Sequence, residues 1–222
     1  MKLSEEMKNK TLLSFELFPP KTEKGLQNLP GTIDHLMKYN PSYISCTYGA
    51  GGGNVGANRE VCQMIKNAGT TPVTHFTVIK NTKEGIKEQL DQYLADGVDH
   101  MLALRGDIPL GETTTCGDFD YATDLVKFVR DTYGDKFEIA VAGSPEGHIS
   151  CRSLESDIAV LKQKQDNGAD YIMTQLCWDM EQFKYWLDAI RKAGITMPVD
   201  VGVMPILDQA ATINMALSRN GW

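Results

Sequence analysis

The stretch Gly97-Val98-Asp99-His100-Met101-Leu102-Ala103-Leu104-Arg105-Gly106-Asp107-Ile108-Pro109 decides how this chain is read. It opens on a glycine of the kind that closes a helix in the left-handed C-cap conformation. An apolar run follows, His100 to Leu104, and two opposite charges around Gly106 end it. The charges fall at the C-terminal end of a strand whose middle is apolar. Gly69, Gly134, Gly168 and Gly194 mark the same beat, each after a helix-like stretch and before an apolar run. Those runs are 72–79, 137–142, 171–175 and 198–204. Asn40-Pro41 is the break before Tyr43-Ile44-Ser45-Cys46-Thr47-Tyr48. The run from Leu12 stops at Pro19-Pro20, a pair that cannot donate to a ladder, and brings the predicted strands to seven.

Between the runs, apolar residues take helical spacing, as at Ile86, Leu90, Tyr93 and Leu94, and at Leu154, Ile158 and Leu161. Alternating strands and helices imply a parallel sheet with right-handed crossovers, and near-continuous apolar strands imply helices on the sheet. An open doubly wound sheet and a (β/α)8 TIM-type barrel both meet that description. Glu16, Thr47, Asp107, His148 and Gln175 lie at or just beyond the C-terminal ends of different strands. A barrel gathers all those ends around one mouth, whereas an open sheet spreads them along an edge. No strand-linked Gly-x-Gly-x-x-Gly followed by a ribose-binding acid is present. The sequence predicts a β/α barrel, a single domain over residues 1–222.

A net charge of -7 argues against a nucleic-acid or anionic-membrane surface. No apolar stretch reaches membrane-spanning length, and the charged start lacks the apolar core of a signal peptide. The five cysteines never form Cys-x-x-Cys and the four histidines are scattered. Free thiols in a reducing cytoplasm and no bound metal are the expectation.

Ser14-Phe15-Glu16-Leu17-Phe18-Pro19-Pro20-Lys21 puts one carboxylate in an apolar run. Desolvation among Phe15, Leu17 and Phe18 would raise its pKa toward that of a general acid; a solvated or salt-bridged glutamate is the plainer reading. Thr47-Tyr48-Gly49-Ala50-Gly51-Gly52-Gly53-Asn54 allows close backbone approach to a planar or phosphorylated ligand, or is a structural loop. Arg105 and Asp107 suit a ligand phosphate and a cationic intermediate, or else a local ion pair closing a turn. His148 suits a phosphate or caps the next helix. Asp157 and Lys164 share one face of that helix, the position of a solvated pair. Gln175 suits a ligand amide or a backbone partner.

Phe15-Glu16-Leu17-Phe18-Pro19-Pro20-Lys21-Thr22, Thr47-Tyr48-Gly49-Ala50, His75-Phe76-Thr77, Leu104-Arg105-Gly106-Asp107-Ile108-Pro109, Pro145-Glu146-Gly147-His148 and Thr174-Gln175 together resemble, in order and spacing, the methylenetetrahydrofolate reductase family. That resemblance implies a barrel holding FAD, reduced by NADH or NADPH, which reduces methylenetetrahydrofolate to methyltetrahydrofolate. It implies Glu16 as proton donor and Asp107 as the charge beside flavin and pterin. Tyr48, Ala50, His75, Arg105, Gly106, Asp107, Tyr121, Ala122, His148, Asp157 and Lys164 are implied as FAD contacts, and Thr47 and Gln175 as contacts to the alternating substrates. The chain differs from the family pattern at Ser144, Val160, Leu176-Cys177-Trp178-Asp179 and Met215.

Asn220-Gly221-Trp222 ends the sequence where the resemblance places the eighth strand, so a barrel short of its last unit is expected, with self-association or a partner subunit. Two other functions stand beside the reductase. One is a catalytically impaired flavin- or folate-binding fragment or subunit; the other is a Schiff-base aldolase using Lys80.

Overall fold

A computed structural model describes residues 2–20, 22–48, 55–108, 111–204, 206–210 and 212–213. Seven strands form one sheet: β1 (Ser14–Leu17), β2 (Tyr43–Cys46), β3 (Thr71–Thr77), β4 (His100–Leu104), β5 (Glu138–Gly143), β6 (Tyr171–Thr174) and β7 (Val199–Asp200). They lie side by side in chain order and every neighbouring pair is parallel. A doubly wound sheet reverses its order at a switch point; this one never does, which is barrel topology. The helices are α1 (Leu3–Met7), α2 (Glu23–Met37), α3 (Val55–Asn67), α4 (Lys83–Ala95), α5 (Ala122–Tyr133), α6 (Leu154–Asp166) and α7 (Met180–Lys192). Gly69, Gly97, Gly134, Gly168 and Gly194 all take positive φ, between 58° and 104°, as the predicted helix stops require.

Strand alternation splits the apolar residues into two cores. Ile44, Phe76, Met101, Ile139, Val141 and Ile172 face the helices and pack on residues such as Ile33, Ile65, Leu90, Val126 and Trp186. Tyr43, Val73, Leu102, Ala140 and Tyr171, one from each of five adjacent strands, form a second, smaller core with Leu3 of α1. That inner core is the filled interior of a curled sheet. Its two edge strands are linked through the interior: Asp200 on β7 accepts from Ser14 Oγ on β1 at 3.4 Å and from the Tyr43 hydroxyl on β2.

Helix α1, which the sequence pattern does not predict, closes the N-terminal end. Glu138, the first residue of β5, accepts from the amides of Leu3 at 2.7 Å and Ser4 at 2.8 Å, and from the Ser4 hydroxyl. His100, its register partner on β4, brings Nε2 to 2.9 Å from Glu138 and Nδ1 to 2.6 Å from Asp99. Burial opposes both charges, yet each supports the other. His100 is pushed up to about 9 by its bonds to Asp99 and Glu138, and Glu138 is held down at about 2 by His100 and the α1 donors.

The predicted seventh strand, 198–204, is corrected to Val199–Asp200. The Gly202 amide, which would extend the ladder, donates instead to Thr174 Oγ1 at 3.0 Å. Val201, Val203, Ile206 and Leu207 beyond it are exposed. Met215 and the C-terminal Asn220-Gly221-Trp222 lie outside the described residues. All five cysteines are free thiols.

Candidate active site at the strand C-termini

Glu16 lies on the inner face of β1, while Phe15 and Leu17, pointing the other way, pack into the outer core. Alternation thus removes the apolar neighbours expected to desolvate it, and Phe18 is itself exposed. The Glu16 side chain is 47% exposed, and its Oε2 stands 3.9 Å from His75 Nε2. His75, on β3, is 6% exposed. Burial pushes it down to about 4, so at neutral pH the ring is uncharged and the contact is dipolar rather than ionic.

Thr77 follows His75 on the same face at the end of β3 and is 2% exposed. His75 Nε2 and Thr77 Oγ1 are both buried without a hydrogen-bond partner. Thr74, on the opposite face of the strand, has one, Asn58 Oδ1 at 2.8 Å. Sequence reading passed over the Thr77 side chain; its signal was the i, i+2 spacing from His75.

After β4, Gly106 takes φ +86°, and a Cβ there would come within 3.0 Å of Ile79 and 3.2 Å of Thr77. Close packing on β3 therefore accounts for this glycine. Arg105 Nε donates to the Gly106 carbonyl at 3.2 Å. Among the described residues no ion pair joins Arg105 to exposed Asp107, so the turn-closing pair is not what forms.

Beyond β5, the His148 amide donates to Asp157 Oδ2 at 3.3 Å, and Lys164 Nζ donates to the Ala142 carbonyl at 3.1 Å. Asp157 and Lys164 thus turn toward the end of β5 instead of forming a solvated pair. Burial pulls Lys164 below the usual ammonium range, against the opposing pull of Asp157. His148 is lowered by burial and by the charges of Arg105 and Lys164. The fold therefore brings Arg105, His148, Asp157 and Lys164 into one electrostatic cluster.

Other predicted contacts lie differently. The Tyr48 ring packs on Phe76 with centroids 5.7 Å apart, and its hydroxyl donates to Gln89 Oε1 of α4 at 2.9 Å. The tyrosine faces the helix layer. Tyr121 is exposed at the start of α5, with Ala122 beside it half-buried. Half-buried Thr47 donates its amide to Leu17 at 2.9 Å, and exposed Gln175 donates its amide to Gly143 at 2.8 Å. Lys80 is exposed in the loop after β3. Ala50 and the rest of the glycine loop through Asn54 lie outside the described residues. Among the described residues no group of three or more His, Cys, Asp or Glu side chains could hold a metal ion. No described helix is long and apolar enough to cross a membrane.

The whole arrangement can be set beside known proteins. Residues 2–218 match the model of the family described as methylenetetrahydrofolate reductase. The chain belongs to that family. Methylenetetrahydrofolate reductase (NADH) 1 of Arabidopsis thaliana is 38% identical over 219 residues, covering 93% of this chain and 37% of that protein. The 5,10-methylenetetrahydrofolate reductase of Escherichia coli (strain K12) is 34% identical over 202 residues, covering 90% of this chain and 67% of that one. A solved Clostridium thermocellum protein that binds two copies of 5-methyl-5,6,7,8-tetrahydrofolic acid has the same fold, with a TM-score of 0.67 at 14% identity, over 90% of this chain and 69% of its own. The chain thus spans well under half the length of the plant relatives.

Proposed function

We propose that this chain is the flavin-binding catalytic barrel of a methylenetetrahydrofolate reductase, reducing 5,10-methylenetetrahydrofolate to 5-methyltetrahydrofolate at the expense of NADH or NADPH. The observation that carries the reading is a half-exposed carboxylate, Glu16, beside a buried neutral imidazole, His75, at the C-terminal mouth. Family membership of a chain matched over residues 2–218 supports it.

The residues fit a flavin. His75 Nε2 and Thr77 Oγ1 are buried polar atoms awaiting a partner, and Arg105 and Lys164 supply positive charge for phosphates beside His148. Asp157, bonded to the His148 amide, orders that segment. Tyr48, Ala50, Gly106, Tyr121 and Ala122 complete the proposed FAD contacts. FAD, when bound, supplies the hydride chemistry between the nicotinamide and the folate.

Glu16 delivers the proton that opens the folate's methylene bridge, and its exposure lets solvent reload it. A cation 3.9 Å away would make Glu16 harder to protonate; because His75 stays neutral well below pH 7, that obstacle is absent. Asp107 places negative charge where the folate's iminium cation develops. Thr47 and Gln175 contact the alternating substrates. The five free thiols suit a reducing compartment such as the cytoplasm. The open edges of β1 and β7 suit completion by further chain, a second copy or a partner subunit.

Stopped-flow measurement of the two half-reactions of Glu16→Gln tests the assignment. Flavin reduction by NADH or NADPH should be spared, while folate reduction falls by roughly 10²–10⁴-fold. Equal losses in both halves would make Glu16 structural.

A further inference from the structure

Leaving a hydroxyl buried and unpaired costs about 1–3 kcal/mol, and native proteins rarely tolerate it without a reason. Thr77 is such a case at an informative place. It is 2% exposed, its Oγ1 has no partner, and it shares the inner face of β3 with His75, whose Nε2 is unpaired too. The two residues are roughly 6.5 Å apart along the strand, a span that matches the polar edge of a fused heterocycle. The neighbouring donors and acceptors are spent elsewhere. The Thr77 carbonyl accepts from Asn81 Nδ2 at 3.0 Å, and Gly106 packs its backbone against the Thr77 Cβ side. A β-branched aliphatic residue would satisfy the strand and its packing equally well, so the fold gives no account of the hydroxyl.

We propose that the Thr77 hydroxyl is a ligand contact of the mouth, hydrogen-bonding the flavin ring system next to His75. This deepens the reductase reading and rests on it. Binding must part the side chains that now cover Thr77, and the bond then made recovers the energy that the ligand-free fold forgoes. The proposal has a consequence opposite to that of an ordinary buried polar residue: removing the hydroxyl should harm ligand binding while sparing or improving the ligand-free fold.

The test uses the full chain carrying Thr77→Val or Thr77→Ser, with FAD affinity read by titration and the ligand-free melting temperature by calorimetry. Thr77→Val should bind FAD about tenfold more weakly and, without FAD, melt at or above the wild-type temperature. Thr77→Ser should keep wild-type affinity. If wild type binds FAD and Thr77→Val binds it equally, the contact is absent and the inference falls while the reductase reading stands. A lower melting temperature for ligand-free Thr77→Val would also overturn it, since the hydroxyl would then be serving the fold. If wild type binds no FAD, the reductase reading itself fails and takes this inference with it.

Discussion

At the N-terminal ends of the strands, Glu138 is 3% exposed and both its oxygens are taken, by the amides of Leu3 and Ser4, the Ser4 hydroxyl and His100. At the C-terminal ends, His75 and Thr77 are buried to a similar depth and leave Nε2 and Oγ1 unpaired. His100 and Glu138 sit on β4 and β5 and His75 and Thr77 on β3, neighbouring strands of one sheet. At the first end the Glu138 carboxylate is fully used in holding α1 to the sheet, although the Tyr171 hydroxyl on β6 is unpaired; at the other end His75 and Thr77 are unmet where barrel enzymes keep their chemistry. The comparison can be broken by perturbing each end and asking whether stability and ligand binding separate.

The largest effect is expected at the closed end. Glu138→Ala leaves His100 as a buried cation with one partner fewer and strips α1 of the acceptor for its first amides. Removing one member of a buried pair costs about 3–5 kcal/mol, and denaturant unfolding should show a loss in that range. A loss no larger than that of Thr77→Val would mean that the two ends are not differently built.

The pH dependence of stability should separate the ends next. His100 is raised to about 9, so its contribution is complete below its unfolded value near 6.5 and disappears as pH rises through 9. Glu138 is lowered to about 2, so its contribution is present above about 4.5 and is lost as pH falls toward 2. His75 is lowered to about 4 by burial, so its folded form resists charging, and stability should fall between pH 6.5 and 4. Urea midpoints across pH should show the alkaline loss shrink in Glu138→Gln, where Asp99 alone still supports the His100 charge, and the loss between pH 6.5 and 4 shrink in His75→Asn. Alkaline behaviour unchanged in Glu138→Gln would detach His100 from the closing contact.

A smaller effect is expected where the mouth meets the frame. Gly106→Ala forces a side chain into φ +86° and against Ile79 and Thr77, a strain of roughly 1–3 kcal/mol. Because Gly106 is itself a proposed FAD contact and the added methyl crowds Ile79 and then Thr77, FAD affinity should drop along with the melting temperature. A drop in stability alone would place Gly106 and Thr77 off the ligand path.

Much of this frame was readable from residues. Glycines at helix ends and polar residues at strand ends placed the strands and their mouth, because those signals are local backbone chemistry. What failed depended on faces and distant partners. Phe15 and Leu17 look like walls around Glu16 in a linear run, but period-two alternation turns them to the helices. For Tyr48, which the family resemblance implies as a FAD contact, the sequence gives no direction to the side chain, whose ring packs on Phe76 and whose hydroxyl donates to Gln89. Helix α1 is five residues long, too short for periodicity to register, and depends on an acceptor 134 positions away. Glu138 and Thr77 illustrate the same limit from opposite ends. A charge and a β-branched residue inside apolar runs give no hint that one is fully bonded and the other not at all.

The smallest structural effect and the most specific functional one should coincide at Asp107. Its side chain is exposed and joins no ion pair with Arg105, so Asp107→Asn should leave the unfolding midpoint unchanged. On the reductase reading its charge nonetheless faces both flavin and folate. Losing it should favour the electron-rich reduced flavin, raising the reduction potential, and should slow folate reduction as the iminium cation loses its counter-charge. Potentiometry with single-turnover kinetics reads both. A raised potential on an unaltered fold would sharpen the contrast with Glu138, where charge serves stability. An unchanged potential would put Asp107 away from the flavin ring and leave Glu16, His75 and Thr77 to define the mouth.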